Sequence, residues 1–257
     1  MIHLPEALVQ LYRDRVPVFA HRGASAAAPQ NTLAAFRLAA EMGADGIELD
    51  VQLCRDGEVM VIHDFTVDGT TDGHGAVRDL TLAQLKELDA GSWFDPIFAG
   101  ERIPTLQEVF DQVGHRLLIN VELKSLPSLS RGLEGEVVRL IEDHNLAQRV
   151  IVSSFNPLAV QRVKKLNPTI PSALLHAPDQ PLVLRRVWLS HLVRHEFRHP
   201  HYSMVDERYL AWARKNGYRI NVWTVNHEAD MRRLLALGVD GIMTDCLDLL
   251  LRVRGSA

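Results

Sequence analysis

The feature that most limits how this chain can fold is a rhythm: short runs rich in Val and Ile recur along it, each followed by a longer amphipathic stretch. Eight such runs are predicted as strands, at Val16–Ala20, Gly46–Val51, Leu117–Leu123, Val150–Ser153, Ser172–Leu175, Tyr202–Val205, Ile220–Val225 and Gly241–Thr244. Between them, stretches such as Thr32–Met42, Leu106–Val113, Gly132–Asp143, Leu158–Leu166, Glu207–Asn216 and Ala229–Leu237 place apolar residues at helical spacing. Gly43, Gly114, Gly217 and Gly238 follow four of them as helix stops. Apolar strands alternating with helices imply a parallel sheet covered by helices. Eight repeats in 257 residues predict an α/β fold, a closed (β/α)8 TIM barrel formed by a single domain over 1–257.

A ninth apolar run, Val59–Ile62, follows Arg55-Asp56-Gly57, a hairpin turn signal, so it is expected to return antiparallel to the second strand. A turn centred between Asp56 and Gly57 sets His63 level with Asp50. Residues 64–102 then form an insertion after the second strand, rich in Gly, Asp and Thr, with one short helix near Leu82–Leu88. Segments of that length inside a compact domain usually serve function.

Charge narrows the partners. Lys and Arg number 28 against 32 Asp and Glu, a net charge of -4, so no basic field exists to hold nucleic acid. Only two cysteines occur, Cys54 and Cys246, in no metal-binding spacing, which points to free thiols and a reducing, cytoplasmic setting. The stretch Met1–Arg15 mixes charged with apolar residues and lacks the core of a signal peptide, and no run is long enough to span a membrane. The expected partner is a small molecule, with no stable membrane insertion.

In such a barrel the chemistry sits at the C-terminal ends of the strands. The polar residues there are His21 and Arg22 after the first strand, Glu48 and Asp50 on the second, His63 and Asp64 on the return strand, Glu122 and Lys124 on the next, and Trp223 farther on. Glu48 and Asp50, two apart, share one face of their strand, and Glu122 and Lys124 repeat the arrangement. Inward charges are costly unless paired or bound to an ion, and three carboxylates cannot all pair with one lysine. An all-oxygen set suits a hard cation, so one divalent ion, Mg or Ca with Mn possible, is expected at Glu48, Asp50 and Glu122. His21 and His63 are candidates for taking and giving a proton, and Arg22 and Lys124 for holding a phosphoryl group.

These residues fall within a longer series: Ala20-His21-Arg22-Gly23, Pro29-Gln30-Asn31-Thr32, Gly46-Ile47-Glu48-Leu49-Asp50-Val51 and Val61-Ile62-His63-Asp64. Further on come Thr70-Thr71-Asp72-Gly73, Ile103-Pro104-Thr105-Leu106, Glu122-Leu123-Lys124, Ser153-Ser154-Phe155, Asn221-Val222-Trp223-Thr224-Val225 and Asp240-Gly241-Ile242-Met243-Thr244-Asp245. In order and spacing the chain resembles the glycerophosphodiester phosphodiesterases. The resemblance implies a barrel hydrolase that releases sn-glycerol 3-phosphate and an alcohol. It implies metal binding at Glu48, Asp50 and Glu122, acid and base roles for His21 and His63, phosphate contacts from Arg22 and Lys124, and Phe155 and Trp223 on the alcohol side. One departure is Gln30, where the family usually carries Glu; it is not counted among the ligands.

Three other readings compete. His195-Glu196-Phe197-Arg198-His199 spells the H-E-x-x-H pattern of zinc proteases, which requires both histidines on one helix. Pro200 follows directly and His201–Val205 reads as a strand, which argues against that helix. A barrel kept only as a binding protein would not need these histidines and carboxylates. A lysophospholipase D activity would use the same site on a larger leaving group.

Overall fold

The computed structural model describes residues 4–125, 132–180 and 193–256, so the first three residues of the N-terminal stretch and the last residue of the chain lie outside it. After helix α1 (Glu6–Asp14), the parallel strands are β1 (Val18–His21), β2 (Gly46–Leu53), β4 (Leu118–Leu123), β5 (Val150–Ser154), β6 (Ser172–His176), β7 (Phe197–Pro200), β8 (Arg219–Val222) and β9 (Gly241–Thr244). Each pairs with the next around the ring, and β1 closes it by pairing with both β9 and β2. The expected (β/α)8 barrel is therefore the fold. Helices α2 (Leu33–Glu41), α4 (Leu106–Val113), α5 (Leu133–Asp143), α6 (Pro157–Leu166), α7 (Glu207–Lys215), α8 (Glu228–Leu237) and α9 (Leu247–Gly255) lie between or after the strands. No helix among the described residues is long and apolar enough to cross a membrane.

Local chemistry explains the boundaries. Thr32 caps α2 by accepting from the Ala35 N–H, and Thr105 with Glu108 forms a full capping box at α4. Outward residues such as Ile47, Leu49, Val51, Ile119 and Val121 pack beneath Phe36, Val109, Phe110 and Ile141 of the helices in the main core. A second core fills the N-terminal half of the barrel interior, where Phe19, Leu118, Ile151, Ala173, Phe197 and Met243 meet Leu8 and Tyr12 of α1.

Two expectations change. The sixth barrel strand is Phe197–Pro200 rather than Tyr202–Val205; it pairs with β6 from Ala173 to His176 and with Arg219 and Ile220 of β8. Its residues are not Val or Ile because burial here is achieved differently: the Arg198 guanidinium lies 4.6 Å from the Trp212 and 4.6 Å from the Tyr218 ring centres. Tyr202–Met204 is a single turn of 3-10 helix, its start capped by the His201 ring.

The hairpin register is the second. Strand β3 (Val59–Val61) runs antiparallel to β2 as expected, with Val51 opposite Val61 and Leu53 opposite Val59. The Cys54 N–H donates to the Glu58 carbonyl at 3.0 Å across a three-residue loop, Arg55 to Gly57. Gly57 takes φ of 89°, the left-handed conformation that this loop needs and glycine supplies. The turn is thus centred on Asp56, and His63 stands level with Leu49, one residue from the expected position. Beyond β3 the insertion carries the expected short helix, α3 (Leu82–Glu87), around a small core of Met60, Ile62, Val67, Val77, Leu85 and Ile103.

Candidate active site

At the C-terminal end of the barrel, strand alternation turns Glu48 and Asp50 inward, and parallel register sets Glu122 directly beside Asp50. Glu48, Asp50 and Glu122 each offer a carboxylate oxygen, all within 4.8 Å of one another, the one such acidic cluster among the described residues. They are 3%, 1% and 9% exposed. Burial, reinforced by the charges of Asp50 and Glu122, pushes the Glu48 carboxyl well above the usual carboxylate range. Burial also raises Glu122, with the Asp50 charge adding to it. Asp50 moves the other way, because the Lys124 and Arg22 cations outweigh its burial.

Those cations are fixed by geometry. Lys124 Nζ lies 3.0 Å from Glu122 and 3.5 Å from Asp50. Burial alone would lower the lysine, but Glu122 and Asp50 raise its pKa and keep it charged. Arg22 Nε is 3.3 Å from Asp50, and its terminal nitrogen donates to Gln30 Oε1 at 2.8 Å. Gln30 therefore supports Arg22 as a neutral acceptor.

Arg22 holds φ of 57°, rare for a residue with a side chain. Its N–H donates to the Glu48 carbonyl at 2.9 Å, which ties the turn to β2. At Gly23, with φ of 85°, an added Cβ would lie 2.7 Å from the Ala35 Cβ, so the turn closes against α2 only with glycine there.

The two histidines approach from neighbouring elements. His21 Nε2 is 3.7 Å from Glu48, while its Nδ1 meets Asp245 at 2.6 Å. Asp245 also accepts from Ser25 at 3.0 Å and Asn226 at 2.6 Å. Burial works to raise Asp245, yet the hydrogen bond from His21 and its companions hold it at about 2. His63 contacts Asp64 through Nδ1 at 2.6 Å. Partial burial pulls the His63 pKa below its ordinary value, with the Asp50 charge working against it. Gln52 secures this return segment by donating to the Ile62 carbonyl at 3.1 Å and the Asp64 carbonyl at 2.6 Å.

Phe155 and Trp223 stand together, their rings 5.5 Å apart and nearly perpendicular. The Trp223 indole N–H donates to the His199 carbonyl at 2.7 Å. Three supporting residues escaped the strand-end reading. Asp245 directly follows β9 and met the same criterion as His21. Asn31 donates to Asp50 at 3.0 Å, and its φ of 57° explains why a residue tolerant of left-handed backbone stands there. Gln52 lies two residues after Asp50 on the same strand face and carries the same alternation signal.

The H-E-x-x-H segment forms no helix, since Phe197–Pro200 is a strand. Glu196 is 2.6 Å from Lys164 and accepts from the Ser172 N–H at 2.9 Å. His199 lies inside the barrel beside Asn221 at 3.3 Å. A zinc-protease site requires an exposed helical pair, and these residues do not provide one.

The model of the glycerophosphoryl diester phosphodiesterase family matches residues 21–249. The chain is 46% identical over 230 residues to a glycerophosphodiester phosphodiesterase of Caldanaerobacter subterraneus subsp. tengcongensis, covering 89% of this chain and 93% of that protein. It is 36% identical to a glycerophosphodiester phosphodiesterase of Bacillus subtilis, covering 94% and 87% respectively. Among solved structures, an Oleispira antarctica phosphodiesterase in complex with the product sn-glycerol-3-phosphate superposes with a TM-score of 0.85 at 32% identity, covering 94% of this chain and 98% of that one. With the barrel and its inward carboxylates in place, these similarities lead to one conclusion: the chain belongs to the glycerophosphoryl diester phosphodiesterase family, a family of phosphoric diester hydrolases.

Proposed function

We propose that this protein, as one barrel domain over 1–257 with 64–102 inserted at its mouth, hydrolyses glycerophosphodiesters to sn-glycerol 3-phosphate and an alcohol. The observation that carries this reading is the acidic triad within 4.8 Å, flanked by Arg22, Lys124, His21 and His63 at the open end of the barrel. The product held by the Oleispira antarctica relative supports the glycerol phosphate half.

The donor set fits a hard divalent cation. It consists of carboxylate oxygens alone, which favours Mg or Ca, with Mn also suited. Charge favours the same fit: Glu48, Asp50 and Glu122 outnumber Arg22 and Lys124 by one, so a divalent ion leaves the cluster ready for one phosphodiester anion. When bound, the ion supplies charge neutralisation and polarisation of a non-bridging oxygen.

The chain's own residues do the rest. Arg22 and Lys124, held in place by Gln30, Asp50 and Glu122, orient the phosphoryl group. One of His21 and His63 takes a proton from the attacking oxygen, and the other returns one to the leaving alkoxide. The attacking oxygen is that of water or of the neighbouring glycerol hydroxyl, the latter route passing through a cyclic phosphate. Phe155 and Trp223 face the alcohol. The free thiols Cys54 and Cys246 support a reducing, cytoplasmic setting.

The deciding assay follows hydrolysis of glycerophosphocholine, glycerophosphoethanolamine, glycerophosphoglycerol and a lysolipid, each with Mg, Ca, Mn or EDTA. Release of sn-glycerol 3-phosphate with a cation and its loss in EDTA are expected. Undiminished turnover in EDTA overturns the metal role, and preference for the lysolipid moves the activity to lysophospholipase D. Solvent oxygen-18 with phosphorus NMR separates the two attack routes.

A further inference from the structure

At the end of the barrel opposite its mouth lies a cavity of about 280 Å³ whose walls include Arg15, Asp45, Arg116, Arg149, Leu11 and Leu118. Three neighbouring strands supply it from their N-terminal ends: Asp45 immediately precedes β2, Arg116 lies two residues before β4, and Arg149 immediately precedes β5. Arg15 reaches the same cavity from the C-terminus of α1.

The backbone carrying these side chains is stitched together. The Leu118 N–H donates to the Asp45 carbonyl at 3.1 Å, and the Ile119 N–H to the Arg149 carbonyl at 2.9 Å. The Arg116 N–H donates to the Val113 carbonyl at 2.9 Å, and the Arg149 N–H to the Leu146 carbonyl at 2.8 Å. The two arginines thus stand on rigid adjacent turns, and binding a ligand there would require little reordering of the chain.

Charge at this end is unevenly matched. Asp45 is engaged on every side: it lies 2.6 Å from Arg15, pairs with Arg254, and accepts from the Val18 N–H at 2.9 Å. Arg219, also at this end, is paired with Asp240 at 2.9 Å. Arg116 and Arg149 have no side-chain hydrogen bond or ion pair among the described residues. Arg149 is half-buried, and a cation drawn partly out of water without a counter-charge costs stability. Three arginines against one aspartate leave two positive charges on the cavity wall, in a chain whose net charge is -4.

We infer that this cavity binds a small phosphate dianion, as inorganic phosphate or a phosphomonoester, at a site separate from the acidic triad. Such an anion carries about two negative charges at neutral pH and matches the excess. Guanidinium groups meet phosphate oxygens in a bidentate, planar fashion. A bound anion would join Arg15 of α1 to Arg116 and Arg149 of the barrel, so it fastens α1 across the floor that Leu8 and Tyr12 already cover. The inference does not depend on the phosphodiesterase reading.

The test is titration of the magnesium-loaded protein with inorganic phosphate and with sn-glycerol 3-phosphate, followed by calorimetry and by amide hydrogen exchange at Glu6–Asp14, at ionic strength matched with chloride. Phosphate should slow exchange in α1, and the double variant Arg116→Gln with Arg149→Gln should abolish that protection and weaken this binding by about tenfold or more. Both side chains lie at the surface and outside the mouth, so diester turnover without added phosphate should stay close to native. Tighter binding of sn-glycerol 3-phosphate than of inorganic phosphate would identify a phosphorylated metabolite as the occupant, and equal binding would identify phosphate itself. Unaltered exchange in α1 of the native protein overturns the inference. So does identical phosphate binding by native and double-variant protein, because the anion would then be held at the mouth alone. Equal protection by chloride overturns it as well, since that would be general screening.

Discussion

The two ends of the barrel interior are built by the same strands, yet their side chains are opposites. Near the N-terminal end Phe19, Leu118, Ile151, Phe197 and Met243 pack on Leu8 and Tyr12. Two residues farther along those same strands stand His21, Asn120, Ser153, His199 and Asp245. One pleat, about 7 Å, thus separates an apolar floor from a polar mouth. Alternation decides which residues face inward, and position along the strand decides whether they hold the fold or do chemistry. The same logic explains β2, where Gly46 makes room for the Phe19 ring at the floor and Glu48 and Asp50 occupy the next two inward positions.

The sharpest way to break this comparison is to exchange the effects. His21→Ala or His63→Ala should lower kcat by roughly 10² to 10⁴, with the urea midpoint nearly unchanged in His63→Ala and a loss of no more than about 1 kcal/mol in His21→Ala, which gives up the contact with Asp245. Phe197→Ala at the floor should lose about 3 to 5 kcal/mol of stability, measured by urea unfolding. Its folded fraction should keep turnover within about threefold of native. A floor variant as catalytically impaired as the histidine variants would end the division of labour.

A cation sharpens the contrast further. In EDTA the raised carboxyls of Glu48 and Glu122 make the folded state bind more protons than the unfolded chain, whose Glu titrates near 4.5. Stability of the metal-free protein should therefore fall as pH rises from 4.5 through the raised folded values. Asp50 has the opposite sign, but its window lies below 3.8 and does not offset this. Mg or Ca at a hundredfold excess over its Kd should add about 2.7 kcal/mol, read by thermal or urea unfolding. Phe197→Ala should retain that increment and Glu48→Gln should lose most of it. An equal increment in Glu48→Gln would remove Glu48 from the ligand set.

The mouth was more legible in sequence than the elements that support it. Glu48, Asp50 and Glu122 interrupt strands whose other residues are apolar, and an interruption at an inward position is visible without coordinates. Strand β7 was not visible, because Phe197–Pro200 buries Arg198 between two rings and His199 inside the barrel instead of presenting Val or Ile. The hairpin register was off by one because Arg55-Asp56-Gly57 fits either a two-residue or a three-residue loop, and only the Cys54 to Glu58 hydrogen bond distinguishes them. Helix α1 reads as a mixed segment because Leu8 and Tyr12 face a floor assembled from distant strands. Asp245 escaped for a related reason: its partner His21 is 224 positions away.

Asp245 also provides the smallest and most discriminating test, since it sits one pleat above Met243 and belongs to the mouth by position. Its folded pKa of about 2 lies below the ordinary 3.8, so its contribution to stability is present above pH 3.8 and is lost as pH falls through 2. The carboxylate is 34% exposed, which screens the interaction. The contribution at neutral pH is therefore on the order of 1 kcal/mol. Asp245→Asn keeps the shape and an acceptor for His21 Nδ1 but removes the charge. Urea titrations should show a loss of about 1 kcal/mol at pH 7 that vanishes below pH 2, where native Asp245 is itself protonated. Equal losses at both pH values would mean that Asp245 acts by packing, which would place it with the floor rather than the mouth.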